Sequence, residues 1–147
     1  MNQESESLNN VASGAMSSAV DQAPRRVLLV EDDRAVLRYL QVVLQRTGYE
    51  VICAADGLEA MKIALSQTVH AVVTDAIMPH FSGQEFCRFL RSYPTLSTLP
   101  VILLSAFAHD NSASNSEGQP DAYLSKPVNP EELTECLARL IREKRPA

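Results

Sequence analysis

No apolar run in this 147-residue chain approaches the roughly 20 residues that a membrane-spanning helix needs, so no membrane insertion is expected. A secretion leader is missing too, because MNQESESLNN is acidic and polar where such a leader is basic and then apolar. Basic residues are in deficit, 13 against 18 acidic ones, for a net charge of −5. A dedicated nucleic-acid-binding module shows the opposite balance, so direct nucleic-acid binding is not expected. Cysteine is scarce: Cys53, Cys87 and Cys136 lie far apart in apolar surroundings, with no CxxC. They read as reduced core thiols of a cytoplasmic protein, and a zinc site is disfavoured. What is present is ordinary globular composition, 46% hydrophobic and 21% charged, at a length common for one domain.

Composition changes near residue 25. The first 24 residues are rich in Ser, Asn, Gln and Ala, and Leu8, Val11, Met16 and Val20 are their only sizeable aliphatics. Such a stretch buries too little apolar surface to offset its ordering entropy, which predicts a disordered tail over 1–24 and a domain over 25–147. Glu4, Glu6 and Asp21 also place three of the five excess negative charges in that tail.

From Arg25 onward two periods alternate. Arg26–Val30 is a short continuous run rich in aliphatics, as in a strand buried on both faces. Asp33 then reads as an N-cap, with Val36, Leu37, Leu40, Val43 and Leu44 on one helical stripe and Gly48 as the stop. Further strands are predicted at 49–53, 70–75, 100–105 and 122–124. A helix over 57–67 is expected to turn Leu58, Met61, Ala64 and Leu65 inward. Ser82 can cap a helix carrying Phe86, Phe89 and Leu90, and Pro130 opens one carrying Leu133, Leu137, Leu140 and Ile141. Uniformly apolar strands alternating with helices imply an α/β fold, a doubly wound five-stranded parallel sheet in the flavodoxin-like order 2-1-3-4-5.

In such sheets function gathers at the carboxyl ends of the strands. There the order sets Glu31, Asp32 and Asp33 after the first strand beside Asp75 at the end of the third. Ser105 ends the fourth strand and Lys126 follows the fifth. Carboxylates crowded together repel one another unless a cation intervenes, and their hard oxygens suit Mg²⁺. A metal, an ammonium group and a hydroxyl converging on a carboxylate make a receptor for a phosphoryl group, and the carboxylate can itself be the nucleophile. Taken singly, each residue has a blander reading: a solvated capping turn, a surface lysine, a satisfied strand-end hydroxyl. Asp33 keeps that reading as a cap.

Four segments carry a resemblance: VLLVEDD (27–33), VVTDAIMPHFSG (72–83), VILLSA (101–106) and AYLSKP (122–127). Thirty residues separate Asp75 from Ser105, and twenty-one separate Ser105 from Lys126. In motif order and spacing the chain resembles a response-regulator receiver domain of two-component signalling, the CheY-like fold, from about Arg25 to Arg145. The resemblance implies that Asp75 is the phosphoacceptor, and that Glu31, Asp32, Asp75 and the backbone carbonyl of Ile77 hold Mg²⁺. It implies that Ser105 and Lys126 contact the phosphoryl group and that Ser105 and Tyr123 act as the switch pair. It also implies a cis bond before Pro127, and a histidine kinase or histidine phosphotransfer protein as donor, with a downstream protein target. The family more often has Asp-Asp where this chain has Glu31-Asp32.

The chain departs from the family between Phe107 and Pro120. There AHDNSASNSEGQP puts turn-forming residues where the family has its fourth helix, so that helix is expected to be short, frayed or absent. Phe107, two residues beyond Ser105, and Ile77, two beyond Asp75, stand at positions that flank the acceptor in the family, and as apolar residues they predict restricted water access there. Only four residues follow the last helix, so the chain reads as a stand-alone receiver acting through protein contacts, not as an enzyme with substrate turnover. The alternatives are a fragment of a larger regulator or hybrid kinase, a pseudo-receiver scaffold, and a haloacid-dehalogenase-like phosphohydrolase. The last usually has an acid two residues after the nucleophile, where this chain has Ile77.

Overall fold

Strand β1, Arg26–Val30, opens the domain, and from Val27 onward every side chain of it is buried. The computed structural model describes residues 23–106 and 118–144. Within them follow α1 (Arg34–Arg46), β2 (Glu50–Ala54), α2 (Gly57–Ser66), β3 (Ala71–Asp75) and α3 (Gly83–Ser92). Then come β4 (Val101–Ser105), β5 (Ala122–Ser125) and α4 (Pro130–Lys144). The strands form one parallel sheet in the order β2-β1-β3-β4-β5, the doubly wound order expected.

Because strand side chains alternate between faces, β1 feeds two cores. Val27 and Leu29 pack with Leu40 and Leu44 of α1 and Leu133 and Leu137 of α4. Leu28 and Val30 pack with Ala60 and Ala64 of α2 and Phe86 and Leu90 of α3. A sheet covered on both faces must be apolar in both registers, which explains the continuous runs.

The helix starts follow local chemistry. The Asp33 carboxylate accepts from the Ala35 and Val36 N–H groups, and Asp56 accepts from the Glu59 N–H. Ser82 and Glu85 form a reciprocal capping box, which satisfies two N–H groups that the helix itself leaves unpaired. Gly48 sits at φ 107°, just beyond the C-cap Thr47, where a side chain would be strained.

Helix α2 corrects the expected inward stripe. Ala64 is buried and Met61 packs half-buried, but Leu58 and Leu65 are 53% and 49% exposed, and Gly57 and Ala60 are buried instead. The helix lies close because its buried positions are small: a β-carbon at Gly57 would strike the Phe81 ring. The tail expected over 1–24 falls, apart from Ala23 and Pro24, outside the described residues. So does the altered fourth helix expected over 108–118, apart from Gly118. Among the described residues, no helix is long and apolar enough to cross a membrane.

Candidate functional site

The site is assembled at the carboxyl ends of β1, β3, β4 and β5. Past the last residue of β1, the Glu31 N–H donates to Ala54 O at 3.1 Å and prolongs the pairing with β2. That bond turns the Glu31 side chain inward, where it is 1% exposed. Its Oε2 accepts the Asp33 N–H at 3.1 Å, and its Oε1 accepts from Lys126 Nζ at 3.2 Å. Asp32, the next residue, is exposed. Asp75 ends β3 and is buried.

Lys126 reaches the same point from the far side. Its N–H donates to Ser105 O at 2.8 Å, and its Nζ lies 3.0 Å from Asp75 Oδ1. The Lys126–Pro127 bond is cis, as the resemblance implies. Ser105 ends β4, half-buried and paired in register with Ser125 of β5. Ile77 donates its N–H to Asp75 Oδ1 at 3.5 Å, while its side chain is 66% exposed. Phe107 lies outside the described residues. Tyr123 is half-buried on β5, and its hydroxyl donates to Gln119 Oε1 at 2.7 Å. Burial raises the Tyr123 pKa.

One carboxylate oxygen each from Glu31, Asp32 and Asp75 lies within 4.8 Å of the other two. Burial, and then the Asp75 charge, push the Glu31 pKa up, against the opposing pull of the Asp33 N–H and of Lys126. Burial works to lower the Lys126 pKa, but its hydrogen bond to Asp75 and the nearby Glu31 and Asp75 charges outweigh it and raise the value. With one ammonium among three carboxylates, the cluster keeps two uncompensated negative charges when all are ionised. A divalent cation fits that deficit and that all-oxygen donor set.

Two supporting residues were not singled out from the sequence as part of the site. A β-carbon on Gly83 would collide with the Asp75 carbonyl oxygen and with the Leu103 side chain. Only glycine therefore lets the chain return from the 76–82 loop and close the Gly83 N–H onto Ala76 O at 3.0 Å. Thr74, buried, donates its hydroxyl to Asp75 O at 3.1 Å. The serine-glycine pair that opens α3 carried the first signal. A buried threonine in a run of valines carried none.

A five-stranded doubly wound sheet with an acid cluster and a lysine at its carboxyl edge defines a class, the doubly wound α/β domains with a polar site at the strand ends. Residues 27–138 match the response regulator receiver domain, and the chain belongs to that family. It is 39% identical over 124 residues to "Response regulator MprA" of Mycobacterium sp. (strain KMS), covering 84% of this chain and 53% of that protein. A namesake from Mycolicibacterium vanbaalenii is 40% identical over 124 residues, with the same coverage. The chain thus spans about half the length of the curated relatives it matches.

Among solved structures, chemotaxis response regulator CheY4 of Vibrio cholerae superposes with a TM-score of 0.74 at 29% identity, covering 80% of this chain and 99% of that one. The receiver domain of sensor histidine kinase PA1611 from Pseudomonas aeruginosa PAO1 gives 0.73 at 31% identity, covering 81% and 98%. That structure has a magnesium ion coordinated in its active-site cleft. The chain is accordingly a receiver domain of two-component signal transduction.

Proposed function

We propose that this chain is a phosphorylation-dependent switch that accepts a phosphoryl group on Asp75 from a histidine kinase or histidine phosphotransfer protein. It passes the signal on by protein–protein contacts in the cytoplasm. The observation that carries this reading is the Lys126 ammonium, 3.0 Å from Asp75 Oδ1, inside a cluster of three carboxylates. Glu31, Asp32, Asp75 and the Ile77 backbone carbonyl would hold Mg²⁺, which supplies charge neutralisation to the phosphoryl oxygens.

An Asp75 carboxylate oxygen attacks the phosphorus of a phosphoimidazole, the O–P bond forms and the P–N bond breaks. The released imidazole nitrogen takes a proton. Lys126 holds the acceptor in place before transfer and meets the added charge afterwards, and the Ser105 hydroxyl donates to a phosphoryl oxygen. That pull on Ser105 is the input to the switch, with Tyr123 on the neighbouring strand as its responding side chain. The division into a tail over 1–24 and a receiver over 25–147 belongs to the same proposal.

Incubation with acetyl phosphate and Mg²⁺, followed by intact mass, tests it. One added phosphoryl group is expected on the wild type and none on Asp75→Ala. Absence of labelling by small donors and kinases alike favours a binding scaffold, and multiple turnover on phosphate esters favours a phosphohydrolase.

A further inference from the structure

At the opposite end of the strands from Asp75 lies a cavity of about 180 Å³. Arg25 and His70 border it where β1 and β3 begin, Thr95 and Thr98 come from the loop after α3, and Lys144 comes from the end of α4. Its apolar lining includes Val69, Pro100 and Ile141. None of the lining residues is acidic.

The backbone of Arg25 and the side chains of His70 and Lys144 on this rim are held in place. The Arg25 carbonyl accepts the Glu50 N–H at 2.9 Å, which anchors the base of its side chain to β2. Its guanidinium has no ion-pair partner among the described residues. Lys144 Nζ is fixed 2.9 Å from Asp121 Oδ1. His70 is clamped twice to β1: its N–H donates to Arg26 O at 2.7 Å, and its ring Nδ1 accepts the Arg26 N–H at 2.9 Å. With Nδ1 acting as acceptor, the neutral ring carries its proton on Nε2 and is a donor. Burial, followed by the Arg25 and Arg26 charges, lowers the His70 pKa, so the ring is neutral at pH 7. The carbonyls of Ser97 and Leu99, which would repel an anion, are already engaged by Arg91 Nη1 at 3.3 and 2.7 Å.

We propose that this cavity is a binding site for a carboxylate carried on a short apolar body. Asp121 engages the Lys144 ammonium, Arg25 and His70 supply a cation and a neutral donor to the guest, and the apolar wall selects against a fully hydrated inorganic anion. The volume is below the roughly 300–1,000 Å³ of ordinary ligand pockets, which limits the guest to a few carbon atoms. The carboxylate is that of a free small acid.

Sodium butyrate is the probe, added to the full chain while the His70 ring signals are followed by NMR. A saturating shift is expected with butyrate and none with butan-1-ol. Affinity should fall about tenfold in Arg25→Gln, as when one charge-assisted hydrogen bond is lost. Lys144→Gln, at an exposed helix end, repeats the test should Arg25→Gln fail to fold. No saturable shift overturns the proposal, as does an equal response to butanol, binding of inorganic phosphate in place of butyrate, or unchanged affinity in the Arg25 and Lys144 variants.

Discussion

His80 holds a left-handed backbone, φ 71°, in the loop beside the acid cluster, and its side chain is exposed. A β-carbon in that region costs about 1–2 kcal/mol, whereas glycine there gives back only about 0.5–1 kcal/mol in unfolded-state entropy. Replacing His80 by glycine should therefore raise stability by up to about 1 kcal/mol, read as a higher urea midpoint at unchanged slope. A lower midpoint would show that the imidazole is anchored by contacts worth more than the strain. His70 makes the opposite case, a ring held in place by two backbone bonds. Protonating Nδ1 would remove the acceptor that the Arg26 N–H uses, and burial with the Arg25 and Arg26 charges already lowers its pKa. The unfolded chain, titrating near 6.5, binds that proton more readily than the folded one. Stability should hold at neutral pH and decline as the pH falls below about 6.5, down to the lowered folded value. Thermal melts across that range should show a weaker decline in His70→Asn, whose amide oxygen can still accept from Arg26.

Between elements, Asp121 acts as a clamp. Its Oδ2 accepts Arg91 Nη2 from α3 and the Val101 N–H of β4, both at 2.8 Å, while Oδ1 takes Lys144 Nζ of α4. Asp121→Ala leaves a mostly buried guanidinium and a strand N–H without their acceptor, and should cost about 2–4 kcal/mol in chemical denaturation. Lys144→Met, which removes only the more exposed partner, should cost less than about 1 kcal/mol. The clamp also shows where sequence reading stops. Strand runs such as Val101–Ser105, and caps such as Asp33 and Ser82, are local signals and could be placed in advance. The pairing of Arg91 with Asp121 spans thirty residues and joins two elements with no shared period. Helix α2 failed for a related reason: Leu58 and Leu65 fit an apolar stripe, yet tight packing at Gly57, Ala60 and Ala64 decided which face went inward. The acid cluster was legible because the strand order alone brings Glu31, Asp32 and Asp75 together. The link from the Asp33 N–H to Glu31 needed coordinates.

For the molecule as a whole, charge is distributed end to end. Of the net −5, three charges lie in the first 24 residues, and Glu31, Asp32, Asp33 and Asp75 account for four more, so the remaining domain surface is nominally +2. The carboxyl end of the sheet is thus the acidic end, and there stability is given up to a site. Lys126 offsets only part of the charge of three carboxylates, and burial, with the Asp75 charge adding to it, raises the Glu31 pKa. A cation that binds the folded cluster and not the unfolded chain must stabilise the fold, by about 2.7 kcal/mol at a hundredfold excess over its dissociation constant. Mg²⁺ should therefore raise the melting temperature with a saturating dependence, while NaCl at matched ionic strength should give no saturating rise. Glu31→Gln keeps a similar shape but removes one ligand charge, so it should need more Mg²⁺ for the same shift. Its metal-free form should lose less than an uncompensated buried charge would suggest, because repulsion with Asp75 disappears along with the Lys126 pair. A melting temperature indifferent to Mg²⁺ in the wild type would remove the cation from the site and leave the acid cluster needing another counter-charge.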